Sequence, residues 1–279
     1  MKMFKKIAIV LGITLAVSAC GNGDKVEQAS NEAPKKQKIV IGFGVGTYIT
    51  QFDKGVRPYL EQKGYEVETK TFSHNKLIPQ ALKEGEVDAS VHISTANMGE
   101  MNRRLQSDMI VWADTPSAPQ SLRSVKHTSL DVMKDGMTIG VPNDPINLER
   151  AVRILEDLDW VNVDPNVETI VFSTNAVTPK NFNVDLRPMD AAQLPRAMDD
   201  LDFAVINGNF IASKGERISD GLAIEKSPPE HLVKVAIREA NQNEQWAIDL
   251  KAAYQSKEFE TYIKNERLFD GFIYPAHWE

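Results

Sequence analysis

The sequence predicts an α/β protein of two lobes, each a mixed sheet flanked by helices. Three observations lead there. Short apolar runs alternate with helix-patterned stretches from residue 38 to residue 112, which is the rhythm of βαβ units. A stretch rich in Pro, Ser and Ala, Thr115 to Gln120, breaks that series, and a second series begins after it. The chain has 279 residues, enough for two lobes without its leader.

In the first series, Ile39 to Phe43 reads as a buried strand. Phe52 to Lys63 reads as a helix with Val56, Tyr59 and Leu60 on one face. Tyr65 to Phe72 alternates like a strand, and Leu77 to Lys83 is a short helix that Gly85 ends. Val87 to His92 is a strand, Asn97 to Leu105 a helix, and Met109 to Trp112 the closing strand. In the second series, Met137 to Val141 is a strand and Pro145 to Leu158 a strong helix. Val167 to Phe172 reads as a strand, Leu194 to Asp200 as a short helix, and Phe203 to Ile206 as a buried strand. After about Gly221 the chain is expected to return to the first lobe. Leu232 to Ile237 is then a strand, and Glu244 to Tyr254 and Glu258 to Asn265 are helices. The boundaries expected are 38–117 with 222–279 for lobe one and 118–221 for lobe two. Ligands of open α/β sheets bind beyond the carboxyl ends of strands, so the cleft between lobes is the place to look for a site.

The amino terminus carries its own signal. Lys2, Lys5 and Lys6 precede the apolar run Ile7 to Leu15, which is shorter than a bilayer span. Val17-Ser18-Ala19 leads directly into Cys20, the only cysteine. This arrangement resembles a bacterial lipoprotein signal. It implies a signal peptide at 1–19, acyl chains on Cys20, and a polar, flexible tether at 20–37. More than one acyl chain makes a stable anchor. An ordinary secreted protein is the alternative. The expected place is the outer side of a bacterial membrane, in the cell envelope.

Composition removes other classes. Hydrophobic residues make up 42% of the chain and charged residues 25%, which is ordinary for a globular protein. The formal charge is −7, and loss of the three leader lysines takes it to −10. Nucleic-acid binding needs a basic patch that this chain lacks. With Cys20 lipidated, no disulfide or thiol-based metal site is expected. The five histidines, at 74, 92, 127, 231 and 277, show no metal-ligand spacing. No Gly-x-Ser-x-Gly element is present, so no catalytic residues, no enzymatic activity and no cofactor are expected. The loop Gly42-Phe43-Gly44-Val45-Gly46 lacks dinucleotide spacing and reads as a strand-to-helix turn at the cleft mouth, where Tyr48 could touch a ligand. The four tryptophans read as packing residues.

The sharpest stretch runs from Val141-Pro142-Asn143-Asp144-Pro145 to Ile146-Asn147-Leu148-Glu149-Arg150-Ala151. A strand ends at Val141, Asn143 or Asp144 can cap the next helix, and Pro145 suits its first turn. Free amide N–H groups then face the cleft beside Asn147 and the Arg150 fork, which suits a small carboxylate. The other reading is a capped helix whose Arg150 makes a surface ion pair.

That stretch resembles the signature of the NlpA-type lipoproteins, the methionine-binding lipoproteins of ABC importers. Ser129-Leu130-Asp131 through Asp135-Gly136, Ala192 through Asp200, and Ala204-Val205-Ile206-Asn207-Gly208-Asn209-Phe210 agree with it, as do Gly85 and Asp88-Ala89. The resemblance runs from about Lys38 to the carboxyl terminus. It implies a two-lobed, periplasmic-binding-protein-like (Venus flytrap) fold. It implies that Arg150 binds an amino acid's carboxylate, with Asn147 beside it, and that Asn207 contacts the same end of the ligand. Asn207 can also serve as a cap on the helix that follows. The implied partners are a membrane permease with a cytoplasmic ATPase, and a monomer is expected.

The first lobe departs from the family. Its aromatics after Asp-Ala-Asn are missing from Asp88-Ala89-Ser90-Val91-His92-Ile93-Ser94-Thr95-Ala96-Asn97-Met98, and Asn75 stands where a family Tyr is expected. The family's Ser-Pro-Tyr-Val-Asn becomes Ser227 through Val233, where an Asn is lost. His92, Thr95 and Asn97 therefore suggest a more polar side-chain pocket. The expected function is capture of a small carboxylate ligand, methionine or a related amino acid, for an ABC importer. The alternatives are a dipeptide or another organic acid as ligand, or an adhesion or enzymatic lipoprotein.

Overall fold

The computed structural model describes residues 37–278. The signal peptide, Cys20 and nearly all of the tether lie outside the described residues.

Two five-stranded sheets organise the chain. The first has the order β2-β1-β3-β12-β4, with β1 Lys38–Gly44, β2 Glu66–Phe72, β3 Ala89–Ser94, β4 Met109–Asp114 and β12 Val233–Arg238. Strand β1 pairs in parallel with β2 and β3, while β12 enters antiparallel between β3 and β4. The second has the order β11-β5-β10-β6-β9, with β5 Ser121–Arg123, β6 Thr138–Pro142, β9 Asp185–Met189, β10 Phe203–Ile206 and β11 Ala223–Ile224. Here β6 is parallel to β9 and β10, and β5 runs antiparallel to β10 and β11. Strands β7 Val161–Val163 and β8 Val177–Pro179 form a separate hairpin pair. Both large sheets are thus mixed, as expected.

Central strands carry β-branched, doubly covered residues. Ile39 and Ile41 of β1 and Val205 and Ile206 of β10 are fully buried. The helices supply the covering faces. They are α1 Tyr48–Gln51, α2 Arg57–Gln62, α3 Ile78–Glu84, α4 Thr95–Leu105, α5 Pro145–Asp157, α6 Leu194–Ala197, α7 Gly208–Ser213, α8 Gln245–Tyr254 and α9 Lys257–Asn265. Helix α5 buries Leu148, Ala151, Val152, Ile154 and Leu155 along one face. Each fully buried Leu or Phe contributes about 1.5–3 kcal/mol relative to exposure. Phe43, Phe52, Tyr254 and Phe259 lie in one core that also takes in Ile206, Ile211 and Ile218 from the second-sheet side. A second core gathers α5 and β6 around Trp160.

Two expectations need correction. The helix expected from Phe52 begins at Tyr48 and contains a π-helical segment, Phe52–Val56, before α2. Gly55 sits in that segment, and a Cβ there would strike the buried Phe259 ring. The strand expected at Val167 to Phe172 is absent. Thr169–Val171 is a 3₁₀ turn, and Val171 is 65% exposed, so an apolar run here does not mark a core strand. The strand beside β6 is instead β9, of sequence Asp185-Leu186-Arg187-Pro188-Met189. It is an edge strand, where Pro and charge are tolerated. That polar pattern is why it does not read as a strand.

The chain passes from the first sheet to the second through 115–120 and returns through 225–232. The two passages are fastened together: the Glu225 N–H donates to the Gln120 carbonyl at 2.9 Å.

Candidate functional site

A cavity of about 100 Å³ lies where loops of both sheets meet. The first-sheet side provides Gly44, Val45, Tyr48, His92 and Asn97, and the second provides Asn147, Arg150, Asn207 and Asn209. The returning segment adds Ser227 and His231. The glycine turn after β1 does sit at the cavity. Gly46 has φ of 139°, and a Cβ there would lie 2.6 Å from Asn209 Nδ2. The same Asn209 amide donates to the Val45 carbonyl at 3.2 Å.

The head of α5 is built as its sequence demands. Asp144 is the N-cap and accepts from the Asn147 N–H at 3.0 Å, with Pro145 next in the first turn. Asp144 is an acceptor, so the Asn147 amide NH₂ faces it, at 3.1 Å from each oxygen. Asn147 Oδ1 therefore points the other way and accepts from Arg150 Nη1 at 2.9 Å and from Asn207 Nδ2 at 3.0 Å. That leaves Asn207 Oδ1 buried and without a partner. The Asn207 side chain makes no cap bond to α7, which it precedes.

Arg150 is not an open fork. Its Nε and Nη2 donate to Glu225 Oε1 and Oε2, both at 2.7 Å. The pair is buried, with the Arg150 side chain 14% and the Glu225 side chain 5% exposed. Glu225 Oε2 also accepts from the Gln120 N–H at 2.8 Å. Burial alone would raise the Glu225 carboxyl, but hydrogen bonds and charge from Arg150, helped by Gln120, outweigh it and hold it below its usual range. The surface ion pair considered for Arg150 is thus a buried, two-point one.

The remaining expected residues divide. Tyr48 lines the cavity, and its hydroxyl accepts from the Ala118 N–H at 3.2 Å. Burial pushes its pKa up to about 12. His92 lines the cavity, both its ring nitrogens are buried without partners, and burial lowers its pKa to about 3. Asn97 lines the cavity as well. Thr95 does not. It is exposed at the start of α4, and its hydroxyl donates to the Glu230 carbonyl at 3.4 Å. Sequence reasoning missed Glu225, Gln120, Asn209, Ser227 and His231 as parts of the site. Burial, followed by the charge of Arg150, lowers the His231 pKa, which favours its neutral form. A lone Glu after a two-residue strand carries no motif, and only the return path brings it to Arg150.

The site offers hydrogen-bond donors and acceptors and one buried ion pair around a small polar cavity. Among the described residues, no three His, Cys, Asp or Glu side chains are placed to hold a metal ion. No described helix is long and apolar enough to cross a membrane.

Known proteins agree with this architecture. The structure of lipoprotein Tp32 from Treponema pallidum superposes with a TM-score of 0.77 at 21% identity, covering 84% of this chain and 98% of that one. An ABC transporter periplasmic substrate-binding protein from Coxiella burnetii gives 0.76 at 26% identity, covering 85% and 100%. The fold is therefore that of the two-lobed substrate-binding proteins. In sequence, the D-methionine-binding lipoprotein MetQ of Salmonella typhi is 27% identical over 97% of this chain and 96% of its own. The model of the family described as NlpA lipoprotein matches residues 39–277, and on that match the chain belongs to the NlpA lipoprotein family.

Proposed function

We propose that this protein is the ligand-capturing component of an ABC importer and that it binds an amino acid in the cleft without transforming it. One observation carries the reading: Arg150, Asn147 and Asn207 converge on a polar cavity between the two sheets of a substrate-binding fold. Relatives are named as D-methionine-binding, and a structural neighbour from Burkholderia cenocepacia is described as bound to methionine. Methionine or a related amino acid is the ligand class. Its carboxylate would be held at Arg150 and Asn147, a reading supported by their joint place on the cavity wall.

The side-chain end favours a polar relative of methionine. Among the described Phe, Tyr and Trp residues, Tyr48 alone lines the cavity. His92, Asn75 and Asn97 stand there instead, and the His92 nitrogens lack partners that a ligand amide or hydroxyl would supply. Ring contacts that favour a thioether are correspondingly few. Closure of the two lobes on the ligand follows from its tighter binding to the closed form. The closed protein, a monomer held by lipid on Cys20, then docks on a permease driven by a cytoplasmic ATPase.

Isothermal titration with D- and L-methionine, glutamine, asparagine and short peptides tests the ligand, with mass spectrometry of anything the purified protein retains. A single amino acid bound and released intact is expected. Turnover of the ligand, or no binding by any amino acid, would refute the reading. Cys20→Ser should move the protein from the membrane to the soluble fraction with its affinity unchanged.

A further inference from the structure

Arg150 is the cation of the site, yet Glu225 already neutralises it. The guanidinium has five N–H groups. Three are in use: Nε–H and one on Nη2 to Glu225, and one on Nη1 to Asn147. One N–H on Nη1 and one on Nη2 remain, enough to take a ligand carboxylate. Arg150 would then sit between two carboxylates. The other titratable groups lining the cavity, His92, His231 and Tyr48, add no positive charge. A bound monoanion therefore leaves one uncompensated negative charge in a buried site, which is costly.

An unpartnered acceptor points the same way. Charged groups set the amide orientations, since Asp144 fixes Asn147, and Asn147 with Arg150 fixes Asn207. The result is an unpartnered, buried carbonyl oxygen on Asn207 at the cavity wall. This oxygen calls for a donor on the ligand.

We propose that Glu225 is a specificity-determining residue: by neutralising Arg150 inside the cleft, it restricts the ligand to one whose recognised end has no net charge, a zwitterionic α-amino acid head, and rejects carboxylates of the same shape without the ammonium. The proposal rests on the amino-acid reading of the cleft and narrows it. The ligand carboxylate takes the remaining Arg150 N–H groups, and the ammonium faces Asn207 Oδ1 and the Glu225 charge.

Matched probes test it. Methionine is compared with 4-(methylthio)butanoate, and glutamine with 4-carbamoylbutanoate, by titration against the wild type and Glu225→Gln. The wild type should prefer the amino acid of a pair by at least about tenfold. Glu225→Gln keeps the shape but removes the charge, so it should shrink that preference by strengthening the desamino acid. Equal wild-type binding of both members, or an unchanged preference in the variant, overturns the proposal. Equal wild-type binding overturns the proposal even if Glu225→Gln does not fold. A second arm needs no cognate amino acid. Millimolar butanoate should raise the thermal midpoint of Glu225→Gln and leave the wild type unmoved. If no amino acid binds but butanoate separates the two proteins, the amino-acid reading falls and the role of Glu225 stands. If butanoate stabilises both alike, the role of Glu225 falls.

Discussion

Arg150 and Glu225 depend on each other, because each is the other's answer to burial. Arg150→Met leaves a carboxylate 5% exposed with no cation beside it. The expected loss is about 3–5 kcal/mol of stability, together with loss of ligand binding. Arg150→Met with Glu225→Met should recover most of the stability and none of the binding. Urea unfolding and titration measure the two effects, and a single variant as stable as the double would show the pair is not coupled. His92 gives a pH signature. Unfolded, it takes a proton at about pH 6.5. Folded, burial delays that to about pH 3. Between these values the unfolded chain binds more protons, so stability falls as pH falls, by up to about 1.4 kcal/mol per unit. Glu225, held low in the fold, adds to the fall only once the pH nears the ordinary carboxylate range. His92→Phe should flatten the slope between about pH 6.5 and about pH 5 in urea midpoints. An unaltered slope would mean that His92 is protonated in the fold. Residue types at the site were legible where a local motif held them, as at Asp144, Asn147 and Arg150. Glu225 was not, because its role comes from a contact with a residue 75 positions away.

At the scale of elements, α5 joins stability to recognition. Its N-cap side chain bonds both the Asn147 N–H and the Asn147 amide. Asp144→Ala should therefore cost about 0.5–2 kcal/mol through the lost cap. It should also weaken ligand binding, since the Asn147 NH₂ then loses the acceptor that holds it turned away from Arg150. Asp144→Ser can still cap through its hydroxyl, so it should restore stability more fully than binding. Full affinity in Asp144→Ala would show that Asn147 needs no such support. Periodicity made α5, β1 and β10 readable, because their buried faces are long and apolar. It failed for β9, whose Arg187 and Pro188 suit an edge, and for Val167 to Phe172, where Ile170 and Val171 remain exposed in a 3₁₀ turn. The hairpin of β7 and β8 was also unread. Three-residue strands are too short to show a period.

At the scale of the whole molecule, the alternation of strands and helices foretold an α/β architecture, and the sheets are mixed because β12 and β5 run against their neighbours. Sequence order alone does not show that a late strand inserts between β3 and β4. Proteins held on a membrane by lipid meet one another side by side, at high local concentration. A bare sheet edge is then a hazard, since a second copy can extend it by strand pairing. Pro188 removes a backbone donor from β9, and Asp185 and Arg187 add charge along it. Pro188→Val should promote concentration-dependent self-association in light scattering, while an unchanged monodisperse profile would show that this edge needs no guard. Under the proposed lipid anchoring, the irregular sequence that hid β9 from pattern reading has a social consequence: it favours copies that share one surface without joining edge to edge.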